Sequence, residues 1–349
     1  MLRRFAVEAR GDWRLNVFDI ERQQVRANQN VKDVCAGNYT YDTDNSVESF
    51  LERQIESPAA SVITRLLNSP TSASSSPSDE ILRFISVQIA RTPQAYEGYI
   101  EFQNGFMGTV FETLASLNDE EPEAARNISV LPREPRQVLS YMAAYAATNF
   151  RLLSDLRVAL VLNESPQEFL ISDHPVFQHN FYLRDSAAPL SASMTVRGLQ
   201  MFLPLSPQIT YCLYDSSVYA YHEERGCVVV RATASDVQIL NSFQAINAER
   251  SLFARSADMA PEMKALGARF ATVSSFTSHA CATAPVEDTD GKLRSLHYSW
   301  RKAVRLESMP SFIKVKNKVR RRPVVCEHRR PNIVAAHELA DAQLNASAR

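Results

Sequence analysis

The sequence predicts an α+β fold, with a mainly helical N-terminal region packed on a C-terminal antiparallel sheet. Three observations carry that prediction. Apolar residues recur at helical spacing over about 45–157, short apolar runs bounded by turn residues crowd 158–230, and the two kinds of element follow each other in blocks instead of alternating. A closing helix over 236–251 completes a domain spanning 1–270, and 271–349 is expected to form a basic, partly disordered tail.

Taken in order, the alternation over 13–20 predicts a strand, and 25–41 adds a second strand or a loop. Asn45 and Glu48 have the spacing of a capping box, so a helix opens there with Val47, Leu51, Ile55, Ala59, Val62, Ile63 and Leu66 along its apolar face. Pro58 predicts a kink or a split, because proline removes a backbone donor and crowds the preceding turn. The Ser/Pro-rich run 69–77 is a loop with no capacity to build a core. Ser78 then caps a second helix carrying Ile81, Leu82, Ile85 and Ile89, which stops at Arg91-Thr92-Pro93. Further helices over 96–117 and 135–156 flank an acidic loop at 119–123. Beyond 157 the runs 158–162 and 168–172 read as a strand pair, 200–205 and 208–214 as two more, and 228–230 as a short one. Val237, Leu240 and Ile246 mark the apolar side of the closing helix.

Composition excludes several function classes. With 349 residues, 45% hydrophobic and 22% charged, the chain has the make-up of a soluble globular protein. It has no run near the roughly 18 apolar residues of a membrane span and no apolar signal region after Met1, so no membrane partner and a cytoplasmic location are expected. Five cysteines lie far apart without a CxxC pair, which predicts reduced structural thiols. Nine glycines leave no GxGxxG, Walker A or GxSxG loop, and there is no HExxH, so a Rossmann or P-loop enzyme is disfavoured. A net charge of −1 gives no global pull towards nucleic acid.

The pattern conflicts with itself on the first helix. At about 100° per residue, Glu48 falls in line with Ala59 and Leu66 inside the apolar arc, while Glu52 and Glu56 step towards its edge. A carboxylate there must be paired, metal-bound or protonated; a plain helix cap is the structural alternative for Glu48. A second candidate is Asp173-His174 at the end of the run 169–172, held by Pro175. Asp173 fits a metal ligand, a partner that orients a base, or a turn residue bonding its own backbone; His174 fits a ligand or a proton shuttle. Gln88 and Arg91 share a helix face at i,i+3, where the arginine could clamp an anion or pair with Glu48 or Glu56. Asn241, Gln244, Asn247 and Arg250 form a polar ridge that lines the same pocket or faces water, with Asn241 assigned beside Gln88 to substrate binding.

Several runs in this order carry a family likeness. They are Leu2-Arg3-Arg4-Phe5-Ala6, Asn45-Ser46-Val47-Glu48 with Glu56, the stretch from Phe84 through Gln88 and Arg91 to Pro93, Phe169-Leu170-Ile171-Ser172-Asp173-His174-Pro175-Val176, and Phe202-Leu203-Pro204-Leu205-Ser206-Pro207. Over about 1–260 the chain resembles the widespread bacterial family named domain of unknown function 4238 (DUF4238). The resemblance brings no activity with it. Members usually open with a His-x-Val-Pro segment, whereas here no histidine precedes His174. Either the start codon is set too far downstream or this copy has lost the segment; if that histidine belongs to an active centre, this polypeptide lacks part of it.

Between Lys292 and Arg330 basic residues alternate with Tyr298, Trp300 and Phe312, a pattern that fits a solvated tail or a nucleic-acid contact. Three function classes therefore stand. The first is a metal-assisted hydrolase of nuclease or phosphoesterase type, with Glu48, Glu56 and Asp173 on a divalent cation, His174 in acid/base work and Arg91 on an anionic substrate. The second is a non-enzymatic binding or regulatory protein whose acids and Arg91 form a buried structural network. The third is a nucleic-acid binder acting through the tail.

Overall fold

Leu15 and Val17 point to one face of a strand and Phe18 to the other, and all three are buried, so the first sheet is covered on both sides. The computed structural model describes residues 1–34, 46–117, 131–185, 193–221, 228–273, 276–287, 293–324 and 326–329. Its elements run β1 (Val7–Ala9), β2 (Asp12–Asp19) and β3 (Gln24–Asn30), then α1 (Ser46–Phe50), a π-helical turn (Leu51–Glu56), α2 (Ser57–Asn68), α3 (Asp79–Ala90), α4 (Pro93–Leu117) and α5 (Pro135–Asn149). There follow β4 (Arg157–Asn163), β5 (Ile171–Ser172), β6 (Phe177–His179), β7 (Gln200–Ser206), β8 (Ile209–Tyr214), β9 (Tyr219–Tyr221), β10 (Val229–Ala232), α6 (Ala234–Asn247), β11 (Ser251–Ala254) and α7 (Ala260–Phe270). The chain closes with β12 (Phe276–Glu287), β13 (Leu293–Ala303), β14 (Ile313–Val315) and α8 (Asn317–Arg320). The fold is α+β. Asn45 of the expected capping box, the acidic run 119–123 and Lys292 and Arg330 of the basic segment lie outside the described residues.

Two sheets organise the molecule. In the first, β2 pairs with β3 along its length and with β1 and β11 at its two ends, and β11 pairs in turn with β5. The second has the order β10-β4-β8-β7-β6 and is antiparallel except for the parallel pair β10 and β4. The run 158–162 therefore does not pair with 168–172. The two stretches belong to different sheets, because Ile171 and Ser172 find their partners in Phe253 and Leu252.

Strand β4 reads as a continuous apolar run because both of its faces are covered. Val158 and Leu160 pack under α2, α3 and α5 with Ile63, Leu82, Ile85 and Ala143, whereas Ala159 and Val161 pack under α6 with Val237, Leu240 and Phe243. Pro58 does not break the first helix. It sits in the opening turn of α2, directly after the π turn, where a widened backbone accommodates its missing N–H and its ring.

The basic segment is not separate from the domain over its described C-terminal part. Leu306, Phe312, Ile313 and Val319 are buried in the α6-side core, and β14 pairs with β9. Arg329 closes this face: its guanidinium is bidentate to Asp155, at 3.0 and 3.1 Å, and donates to the carbonyls of Leu152, Met194 and Val196. Among the described residues no helix is long and apolar enough to cross a membrane.

Candidate functional site

The π turn delivers Glu56 to the start of α2, and α3 ends two turns from its middle at Arg91, whose N–H still bonds Val87 O at 3.1 Å. Thr92 Oγ1 then accepts the Ala95 N–H at 3.1 Å and starts α4, so the chain turns at Arg91 and leaves its side chain at the helix end. There Arg91 Nη1 lies 2.7 Å from Glu56 Oε1. Gln88, one turn earlier on α3 and almost fully buried, stands on the same face. These three side chains and Asp173 line one cavity of about 750 Å³, which also takes in Glu52, Arg3 and Arg4. Arg4 donates to Ala60 O at 3.0 Å and to Thr64 Oγ1 at 3.1 Å, tying the N-terminal turn to α2, and burial lowers its pKa from the ordinary value.

Asp173 lines this cavity but its oxygens are already engaged. Oδ1 accepts from Glu249 N at 3.0 Å, and Oδ2 from Arg250 N at 2.7 Å and Ser251 N at 3.2 Å. It thus fastens the turn between α6 and β11 to the end of β5, a structural use of a carboxylate. Glu48, half-buried on α1, is not among the residues that line the cavity. The expected metal set of Glu48, Glu56 and Asp173 is accordingly not assembled, and among the described residues no three His, Cys, Asp or Glu side chains are grouped to hold a metal ion. The projection that placed Glu48 inside assumed a uniform α-helix, and the π turn alters the phase of everything after Phe50.

His174 faces away from the larger cavity. It borders two smaller spaces, and its Nε2 lies 3.2 Å from Glu249 Oε2. Burial lowers the imidazole pKa against the opposing pull of the Asp173 carboxylate. Burial also raises that of Glu249, reinforced by Asp173 and Glu97 and countered by Arg250. Glu249 was missed from the sequence because it falls between Asn247 and Arg250, off the spacing of the polar ridge, and carries no spacing signal of its own.

The three amides of the ridge face neither water nor the larger cavity. Asn241 Oδ1 accepts Leu170 N at 2.8 Å while its amide donates to Glu168 O and Glu262 Oε1; Gln244 accepts from Ser172 N and Oγ, each at 3.0 Å, and donates to Pro175 O at 3.1 Å. Asn247 donates to the carbonyls of His174 and Val176. The three amides stand in for a sheet ladder along 168–176, and the side chain of Asn241 is engaged in positioning that segment. Only Arg250, as expected for part of the ridge, is exposed.

This chain belongs to the DUF4238 family. The family model, described as a protein of unknown function, matches residues 1–258. No curated protein and no solved structure matches the chain. In this DUF4238 protein the matched region holds Glu48, Glu56, Gln88, Arg91, Asp173, His174 and Asn241, together with Glu249. The basic segment lies outside the match, and several of its members are engaged within the fold: Arg329 with Asp155, Lys316 Nζ with Ser216 O, and Arg305 with Asp185 at 2.9 Å.

Proposed function

We propose that the larger cavity is the active site of a hydrolase for small anionic esters of the phosphomonoester type, with Arg91 as the anion-holding group and Glu56 as the general base. The observation behind this reading is the 2.7 Å contact between Arg91 and Glu56 on the wall of the 750 Å³ space, with side chains still 29% and 42% exposed. A phosphate is a better bidentate partner for a guanidinium than one carboxylate oxygen is. Substrate that takes Arg91 releases Glu56 beside it, where the freed carboxylate can accept a proton from a water attacking phosphorus and return it to the alcohol that leaves as the ester P–O bond breaks, with inorganic phosphate remaining on Arg91. Gln88 supplies an amide to orient either species. Asp173 serves the site indirectly by fixing the wall.

The test uses the full chain with inorganic phosphate as ligand and p-nitrophenyl phosphate as substrate. Phosphate is expected to bind wild type saturably and Glu56→Gln more tightly, because the internal competitor is gone. Arg91→Gln should bind at least about tenfold more weakly, the loss of one charge-assisted contact. Turnover should vanish in both variants. Equal phosphate binding by wild type and Arg91→Gln refutes the site, and phosphate binding without turnover refutes the hydrolase.

The engagement of Asp173 by three backbone N–H groups favours a second reading, in which Arg91 and Glu56 are also structural and the protein binds or regulates without catalysis. On that reading Arg91→Gln chiefly lowers the melting temperature. In the catalytic reading a partly exposed pair contributes at most about 1 kcal/mol to stability, so melting hardly moves.

A further inference from the structure

The space beyond His174 is chemically unlike the larger cavity. It encloses about 460 Å³ between α4, the end of α6 and the residues after α7, within the range of small-molecule sites. Glu97, Glu249, His174 and Asn247 supply its polar wall, Ile246 and Val273 its apolar one, and among the described residues neither Lys nor Arg lines it. Arg250, the cation that reaches Glu249, does so only at 3.9 Å and from an 82% exposed side chain. His174, Asn247 and Gln94 also border an adjoining gap of about 30 Å³, which Gln88 and Gln178 line as well. Gln178 is 8% exposed, and its Nε2 has no hydrogen-bond partner among the described residues. A buried donor left in that state calls for an acceptor.

We propose that this second cavity binds a small aliphatic amine bearing a hydroxyl group, its ammonium between Glu249 and Glu97 and its hydroxyl oxygen at the Gln178 end. The two carboxylates supply the charge that the ammonium needs, and the His174 ring, with Nε2 3.2 Å from Glu249 Oε2, holds one of them in place. Ile246 and Val273 cover the alkyl chain. Burial and the neighbouring Asp173 and Glu97 carboxylates push the Glu249 carboxyl up, and a cation placed beside it acts in the opposite direction. This inference does not rest on the chemistry of the larger cavity.

Calorimetric titration of the full chain with aminobutanol, butylamine and butanol tests it. Aminobutanol is expected to bind most tightly, butylamine next and butanol not at all. Glu249→Gln and Glu97→Gln should each weaken aminobutanol by at least about tenfold. Gln178→Leu should remove the advantage of aminobutanol over butylamine, and Arg91→Gln should change nothing. The side chain of Glu97 is on the surface of α4, so its variant stays folded even if loss of Glu249 disturbs the turn held by Asp173. Butanol binding as well as butylamine, or aminobutanol affinity that survives both glutamate substitutions, overturns the proposal.

Discussion

His179 is buried on β6 with its ring between Phe177 and Phe181, at centroid distances of 5.9 and 4.4 Å, and neither ring nitrogen has a hydrogen-bond partner among the described residues. Burial, helped by the charge of Arg184, pulls its pKa from 6.5 down to about 3. Between those values the unfolded chain carries a proton that the folded chain refuses. Stability is therefore full above about pH 6.5 and lost as pH falls towards 3, with a slope approaching about 1.4 kcal/mol per unit from this group. His174, also lowered, adds in the same direction. Urea unfolding of His179→Leu across this range should show a flatter acid limb than wild type; an unchanged slope would mean that His179 gains a proton within the fold. Residue-scale chemistry was partly legible beforehand. The turn reading of Asp173 expected it to bond its own backbone, whereas the N–H groups it holds belong to a loop more than seventy positions away, which no local pattern could supply.

At the scale of elements, close approach between α7 and β2 depends on one missing side chain. A Cβ at Gly267 would stand 2.0 Å from Phe18 Cε1, inside a fully buried ring. Gly267→Ala should therefore destabilise by about 1–3 kcal/mol, despite the better helix propensity of alanine, because the ring has nowhere to go. Equal or greater stability in denaturant would show that the helix can shift away. The helix α3 was readable from its period and its Ser78 start, and so was the shared face of Gln88 and Arg91. The first helix was readable as a helix but not in phase. One π turn before Pro58 carried Glu52 and Glu56, not Glu48, to the cavity. The sequence left the amides of α6 between a pocket lining and a solvated face, because their partners, the backbone groups of 168–176, come from another part of the chain.

Across the whole molecule, the last described residues act as a clasp. Arg329 and Asp155 have side chains only 4% and 7% exposed and join the C-terminal segment to the turn before β4. Arg329→Ala takes the bidentate partner away from a buried carboxylate, so a loss of about 3–5 kcal/mol in unfolding free energy is expected; a loss below about 1 kcal/mol would show that the guanidinium is replaced without penalty. By itself the sequence determined the α+β class, the position of most helices and central strands, and the pairing of Gln88 with Arg91 on one face. Those properties follow from spacing along a single stretch of chain. Only the tertiary structure decided which acid meets Arg91, that Asp173 is spent on a distant loop, that His174 looks into a different space, and that a basic tail is partly core. Each of these depends on contacts between remote segments, where burial and hydrogen-bond satisfaction act on the assembled chain and leave no trace in local periodicity.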